Sequence, residues 1–169
     1  AELREAASAA PLLSALQASA PRPAGQQAND DTYAKTASDT DADTTVFLQA
    51  SLLRALRELR AAPASAPALA LLASPAAAVR LEAVGVLGWV KDVGALPALV
   101  SLAQRDDSTD VRHAAVGALG MGEAQAVLPA LLIALADSAW QVREEAATTL
   151  AKVRAAEALP ALLAALRSE

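Results

Sequence analysis

The sequence contains no cysteine, a single histidine and few aromatic residues, namely two Trp, one Tyr and one Phe among 169 residues. The absence of cysteine excludes disulfide bonds, thiolate metal sites and cysteine nucleophiles. With so few aromatic side chains, a core has to be built from Ala, Leu and Val, which favours closely packed helices. The hydrophobic fraction of 54% is sufficient for a full core in a chain of this length.

Positive charge and long apolar runs are also scarce. The formal net charge is −5 at pH 7, the wrong sign for a protein that binds a phosphate backbone. No apolar run is long enough to cross a bilayer. The composition therefore argues against nucleic-acid partners and against membrane insertion. The first residue is Ala rather than Met, which we interpret as a processed chain, a trimmed chain or a piece of a longer one.

One unit recurs three times in the second half of the chain. A Val-Arg pair marks it at Arg80, Arg112 and Arg143, at steps of 32 and 31 residues. A downstream Leu-Pro-Ala-Leu motif, with its prolines at Pro97, Pro129 and Pro160, repeats the same two steps. Self-similarity at this period predicts a solenoid, in which each unit buries its apolar face against its neighbours.

Each copy predicts two helices. The first carries an apolar stripe at spacings i, i+4, i+7 and i+8, and glycine follows it in two of the three copies. The stripe is predicted at Val79, Ala83, Val86, Leu87; at Val111, Ala115, Ala118, Leu119; and at Val142, Ala146, Thr149, Leu150. The second helix opens at the proline, which is tolerated in a first turn. Its buried face is predicted at Leu128, Leu131, Leu132 and Leu135.

This pattern resembles the short HEAT repeat. The resemblance lies in Asp-x-x-x-x-Val-Arg, then Ala-Ala-x-x-Leu-Gly, then Leu-Pro-Ala-Leu-Leu, and the particular type is the one named after the phycobilisome (bilin) lyases. It covers residues 74–169 well and 45–73 loosely. The resemblance implies an all-α fold, a right-handed α-α superhelix of antiparallel helix pairs. It says little about function, because such repeats occur in scaffolds, adaptors, bilin lyases and a di-iron hydroxylase.

The rest of the chain is interpreted as an extension of the same domain. Residues 1–18 are predicted to form an N-terminal half-repeat, and residues 45–169 one atypical and three regular repeats. Residues 19–44 are rich in Ala, Pro, Asp and Thr and nearly empty of large aliphatics, so we expect an acidic loop insertion. Asp39, Asp41 and Asp43 imitate a calcium loop but lack its glycine and its final acid, which argues against a metal site.

The repeated arginines have two interpretations. Arg80, Arg112 and Arg143 could form a basic stripe for an anion, but we favour a structural ladder. In repeats that resemble these, the arginine binds acids and carbonyls of the turn before or beside it. Asp106 and Asp137 are aligned with each other and are the expected partners. Ser74 holds the same place one repeat earlier.

The second helices supply the candidate binding surface. In solenoids of the HEAT type they line the concave face, and the helical wheel predicts an uncharged outer side. Either neighbouring helices bury this side, or it forms a shallow apolar groove for a partner. Its candidate residues are Leu71, Leu72, Ala98, Ser101, Leu102, Ala130, Ile133, Ala134, Ala161 and Ala164.

We therefore expect a non-catalytic scaffold or adaptor that binds a protein or peptide, with no cofactor and no metal. His113 has no companions spaced for a metal site or for catalysis. The alternative, by analogy with the bilin lyases, is a lyase-like or chaperone-like protein for a tetrapyrrole. Against it, the candidate face offers no side chain that would hold a tetrapyrrole or transfer a proton. Trp89 and Trp140 are interpreted either as packing residues or as binding anchors.

The C-terminal end is expected to expose apolar surface and to associate through it. Leu159, Leu162, Leu163 and Leu166 share one side of the final helix and are predicted to pack back on the preceding helices. The flank that a following repeat would bury stays uncovered. We expect this end to continue in a longer chain, to pair with another copy or to bind a partner.

Overall fold

The computed structural model describes residues 2–19 and 34–168, with side chains described for residues 9–19 and 42–167. Within these residues the fold is all-α, as predicted, and contains no strand. The helices are α1 Glu2–Ala18, α2 Ala34–Glu58, α3 Ser65–Leu71, α4 Ala77–Val90, α5 Leu96–Arg105, α6 Thr109–Ala118, α7 Ala124–Ala134, α8 Trp140–Lys152 and α9 Leu159–Ser168. Short 3-10 turns lie at Ala62–Ala64, Val93–Ala95, Leu119–Met121 and Ala156–Ala158.

The chain divides into two compact units, Ala1–Val86 and Leu87–Glu169. The division falls inside α4 rather than in a linker. In the first unit, α1 packs against α2 and α3, and the amide of Gln49 donates to the carbonyl of Ser19 at 2.9 Å. In the second unit, first helix α6 packs against first helix α8, and second helix α5 packs against second helix α7. The organisation of residues 45–169 as one domain stays a prediction.

The segment expected to be a loop is partly helical. Helix α2 begins at Ala34, so residues 34–44 belong to a helix, and the predicted loop boundary at residue 44 is wrong. Residues 20–33 lie outside the described residues. The described side chains of this segment, at residues 42–44, are exposed, but the lack of large aliphatic residues does not prevent a helix. Extending an existing helix by a residue is inexpensive once its packed part, here Val46 to Glu58, has formed.

The first-helix stripes form the core of each unit. Val79, Ala83, Val86 and Leu87 are fully buried, as are Val111, Ala115 and Leu119 in the next copy. In the last copy Val142, Ala146, Thr149 and Leu150 are buried as well. The prediction for these helices is confirmed, except that Ala118 is only half-buried.

The buried face of the second helices was predicted in the wrong direction. In α7 the buried residues are Val127, Ala130, Leu131 and Ala134, whereas Leu128, Leu132 and Leu135 are half-buried. The true face is rotated by about one residue, roughly 100° around the helix axis. Gln125 is the one polar residue of the helix, so the sequence gives little indication of the buried direction. The buried face combines Val127 and Leu131 with two alanines, whereas the other three leucines of the predicted face lie on its flank.

A recurring turn connects the two helices of a pair. Arg60, Lys91 and Arg154 occupy equivalent places and have positive φ values of 51°, 56° and 55°. The residue after each donates its N–H to a carbonyl five positions earlier, as in Ala155 to Leu150 at 3.1 Å. This bond defines a Schellman motif, whose left-handed position normally holds glycine. The corresponding turn before α7 differs, because Glu123 there has an ordinary φ of −66°.

Candidate interaction surfaces

Each repeated arginine binds the turn that precedes its own helix. Nη1 of Arg80 lies 2.9 Å from the carbonyl of Ser74 and 3.0 Å from that of Pro75. Arg112 and Arg143 make the same pair of bonds to the carbonyls six and five residues before them, over 2.9–3.5 Å and 3.1–3.3 Å. A guanidinium has several donors in a fixed fork, so it holds both carbonyls at once.

The polar residue at the start of each of these turns accepts a backbone hydrogen bond within the turn. Oγ of Ser74 accepts the N–H of Ala76 at 3.3 Å. Oδ1 of Asp106 and of Asp137 accept the N–H two residues later at 2.9 and 2.8 Å. Short polar side chains stabilise turns in this way. The aligned residues Ser74, Asp106 and Asp137 therefore shape the turn that the arginine then holds.

Arg112 also forms an ion pair with the next turn along the chain. Its Nε and Nη2 donate to the two carboxylate oxygens of Asp137, each at 2.9 Å, and both side chains are largely buried. The hydrogen bond from Arg112 lowers the pKa of Asp137, against the opposing effect of partial burial. The same hydrogen bond raises the pKa of Arg112. This bidentate pair joins α6 to the turn before α8 and does not face solvent as a basic stripe would.

A second ion cluster, which the sequence analysis missed, lies in the first unit. Nε and Nη2 of Arg54 donate to Oε1 of the buried Glu82 at 2.9 and 2.7 Å. Nη1 of Arg57 lies 3.1 Å from Oε2, although without the alignment of a hydrogen bond. A Cβ at Gly85 would come within 2.9 Å of that Nη1, so the glycine leaves room for the arginine. The sequence feature that could have indicated this cluster is a pair of arginines three residues apart in a leucine-rich helix.

The candidate binding residues do not all lie on one exposed face. Ala130 and Ala134 are buried, and so is Leu72, so for these three the first alternative holds, in which neighbouring helices bury them, and their assignment to a binding surface is wrong. The rotation of α7 described above is the physical reason for the two alanines. Ser101, Ile133 and Ala164 are exposed. The remaining candidates are half-buried, namely Leu71, Ala98, Leu102 and Ala161.

The exposed candidates occupy the same place in three successive second helices. Together with the exposed prolines four residues before them, they form what we call the second-helix surface: Pro97, Ser101, Pro129, Ile133, Pro160 and Ala164. Its members on α5 and α7 lie on helices that pack side by side. The surface carries no charge, and the exposed fraction of Ile133 is 56%.

The only histidine lies at a half-buried position of α6. Nε2 of His113 is 3.7 Å from Oε2 of Glu145. No group of three potential metal ligands occurs among the described residues. No helix in the described part of the chain has the length and apolar character needed to cross a membrane.

Large apolar side chains are exposed at several other places. Both tryptophans, Trp89 and Trp140, are exposed. The sequence analysis interpreted them either as packing residues or as binding anchors. Phe47 in the first unit and Val93 in the second are exposed as well, and nothing in the repeat pattern indicated them.

Helix α9 carries three of the exposed large apolar side chains of the second unit. Leu159, Leu163 and Leu166 are 58%, 46% and 78% exposed, so the expectation that they pack back on the preceding helices is wrong. They occupy the flank of α9 that another helix would have to cover, and no such helix follows among the described residues. Beside them lies an open groove of about 310 Å³, lined by Leu150, Ala151, Arg154, Ala155, Ala156, Leu159 and Leu162.

The helix pairs, the repeating turns and the aligned arginines define an all-α repeat protein. The sequence matches HEAT repeats over residues 37–120 and 98–169. Because the match covers most of the chain, the protein belongs to the HEAT-repeat family. No curated protein matches the chain.

Proposed function

We propose that the protein is a non-catalytic scaffold that binds a partner protein through the second-helix surface. Membership of the HEAT-repeat family supports a binding role, because such folds present extended surfaces built from successive helices. The observation that carries the proposal is the position of Ile133. A large aliphatic side chain is 56% exposed at the centre of an uncharged surface, where a helix facing solvent would normally carry polar residues.

The chemistry of this surface favours an apolar segment of a protein as the ligand. Proline, alanine, serine and isoleucine offer shallow apolar contacts and no ion pair, which suits the apolar face of a helix or an extended peptide. The net charge of −5 argues against a nucleic acid. The partner would gain most from contact with Ile133, because this is the largest exposed side chain of the surface.

The test compares partner capture by the immobilised chain and by two variants. Ile133→Glu places a charge at the centre of the second-helix surface, and we expect it to abolish capture of the specific partner. Val93→Glu is the matched control, because Val93 is also β-branched and is 62% exposed outside this surface. Circular dichroism verifies that both variants keep their helices. Equal capture by wild type and Ile133→Glu would contradict the proposal.

No observation favours the alternative of a bilin or tetrapyrrole protein. The finer resemblance to the bilin lyase type of repeat is its sole support, and the second-helix surface has no side chain suited to hold a tetrapyrrole or move a proton. A titration with bilin or haem, followed by absorbance, tests it directly. A saturable spectral shift at micromolar concentration would revive this alternative.

A further inference from the structure

We propose that two copies of this chain pair through α9, with their α9 helices antiparallel about a two-fold axis. This interface is separate from the second-helix surface and goes beyond the scaffold function. It uses the α9 stripe, which we define as Leu159, Leu163 and Leu166. These side chains are spaced i, i+4 and i+7 and therefore line one side of the helix. All three are exposed, and Leu166 is the most exposed large apolar side chain among the described residues of the second unit.

The first argument for a second copy is that the stripe is self-complementary in length. The middle residue of the stripe, Leu163, lies only half a residue from the midpoint between Leu159 and Leu166. A two-fold axis at this midpoint brings Leu159 of one copy opposite Leu166 of the other, and the reverse contact follows by symmetry. Leu163 then lies next to the axis, where it meets its own equivalent.

The second argument is charge complementarity at the two ends of the stripe. Glu157 precedes the helix and Arg167 lies in its last turn, and both are exposed. Neither side chain has a hydrogen-bond or ion-pair partner among the described residues. The same antiparallel arrangement places Glu157 of one copy near Arg167 of the other, twice per dimer. A parallel arrangement would instead bring like charges together.

The third argument is the position of the groove. It lies at the beginning of α9, between the end of α8 and the residues Leu159 and Leu162. The antiparallel partner brings its Leu166, the most exposed apolar residue of the stripe, to this end of the helix. The groove is therefore placed to receive that leucine. An unrelated partner helix would have no reason to match the length, the charges and the groove of α9 together.

The oligomeric state across a concentration series tests the pairing. We expect sedimentation equilibrium of the full chain to show a monomer–dimer equilibrium. Leu166→Glu removes both leucines that enter the grooves, and it should raise the dissociation constant by roughly 100-fold or more. Because Leu166 is 78% exposed, the variant should keep the fold, which circular dichroism verifies. Ile133→Glu lies outside the α9 stripe and should leave the dissociation constant unchanged.

A charge swap tests the antiparallel arrangement specifically. Glu157→Arg and Arg167→Glu each replace two attractive contacts per dimer by repulsive ones. We expect each variant alone to dimerise about 10-fold more weakly than wild type. An equimolar mixture restores opposite charges at both contacts, so it should form heterodimers of near wild-type affinity. The double variant Glu157→Arg/Arg167→Glu should dimerise as wild type does.

Three results would overturn the proposal. They are a wild-type monomer at high concentration, a dimer that Leu166→Glu does not weaken, and mixed charge variants that fail to recover affinity. These results are independent of the scaffold function, which depends on partner capture and on Ile133. A monomeric chain that still loses its partner with Ile133→Glu would refute the dimer and keep the scaffold.

Discussion

Helices α7 and α9 have nearly the same sequence and very different surroundings. Both contain Leu-Pro-Ala-Leu-Leu, at Leu128 and at Leu159. In α7 the central Leu131 is fully buried, and the flanking leucines are half-buried. In α9 the equivalent Leu162 is only half-buried, and the flanking leucines are largely exposed. The comparison shows that burial in this protein is a property of the neighbouring helices more than of the helix itself.

The contacts of the two helices explain the difference. Helix α7 packs against both α5 and α8. Helix α9 follows α8 and is succeeded by no further helix in the described part of the chain. In a repeat protein, each unit depends on the next to cover its apolar flank. The same leucines therefore stabilise the core in α7 and form a potential interface in α9.

The largest expected effect is a difference in stability between alanine variants of the central leucines of α7 and α9. Leu131→Ala should lower the free energy of unfolding by about 2–5 kcal/mol, because it leaves a cavity in the core. Leu162→Ala should cost about 1 kcal/mol, since its side chain is only half removed from water. Urea unfolding followed by circular dichroism measures both. Equal losses would show that α9 is covered as fully as α7.

A smaller loss of stability is expected for a variant in the turn that follows α7. Asp137→Asn should destabilise the protein by about 1.5–3 kcal/mol at pH 7, because it removes charge-assisted bonds to the largely buried Arg112. The exposed Asp107 provides the matched control, and Asp107→Asn should change stability by less than about 0.5 kcal/mol.

The contribution of the Asp137 carboxylate to folding stability should also depend on pH. Its folded pKa is lowered below the usual 3.8 by the hydrogen bond from Arg112, so the unfolded chain takes up the proton first as the pH falls. The stabilisation is thus fully present above the unfolded value and is lost as the pH falls through the folded pKa. The difference in melting temperature between wild type and Asp137→Asn should stay constant from pH 7 to about 5 and shrink below about 4. A constant difference down to pH 2 would contradict this assignment.

Glycine substitutions in the turns before α5 and α9 should change the stability in the opposite direction from a glycine substitution in the turn before α7. Arg154→Gly and Lys91→Gly should stabilise the protein by about 0.5–1 kcal/mol, because glycine adopts a positive φ without strain. Glu123→Gly, at the ordinary backbone conformation before α7, should destabilise by a similar amount through the entropy of the unfolded chain. Thermal unfolding of the three variants measures the signs. Stabilisation by Glu123→Gly would show that this turn is strained as well.

The smallest effect is expected on the surface of α9. Leu163→Gln should change the unfolding free energy by less than about 0.5 kcal/mol, whereas Leu132→Gln in α7 should cost about 1–2 kcal/mol. The measurement requires dilute protein, because dimerisation would add its own stabilisation to wild type. A large loss at Leu163 in the monomer would mean that α9 has a cover within the chain.

The sequence predicted the repeats and the first helices because strong local signals fix them. The Val-Arg pair and the apolar stripe agree with each other in α4 and α6. The glycine after the stripe does not mark the helix end in both, because Gly88 lies inside α4 whereas Gly120 lies beyond the end of α6. The arginines then bind the turns that precede their helices, and Arg112 and Asp137 lie together. The bonds to the turns join residues five or six positions apart, which the sequence places close by necessity. The Arg112–Asp137 pair joins residues 25 positions apart, and it was expected because the repeat pattern aligns the two turns.

The orientation of the second helices could not be predicted for the opposite reason. Helix α7 is apolar apart from Gln125, so periodicity does not distinguish the buried Ala130 from the half-buried Leu132. Assigning the largest aliphatic residues to the core is a reasonable rule, but the buried face of α7 combines Val127 and Leu131 with two alanines. The exposure of α9 escaped prediction because it depends on a neighbour, and the cluster around Glu82 because it joins residues 25 or more positions apart.

The Arg112–Asp137 pair has a consequence for how the second unit unfolds. The bonds of Arg112 to its own turn close a loop of only six residues, so they can form early and within one repeat. The bond to Asp137 joins two successive repeats, and it therefore acts as a nearest-neighbour coupling in a one-dimensional array. This pair adds to the direct packing of α6 against α8, so we expect it to strengthen the cooperativity with which the two repeats unfold. Without it, the coupling would rest on the apolar packing alone, and fraying at α8 while α6 stays folded should become more frequent.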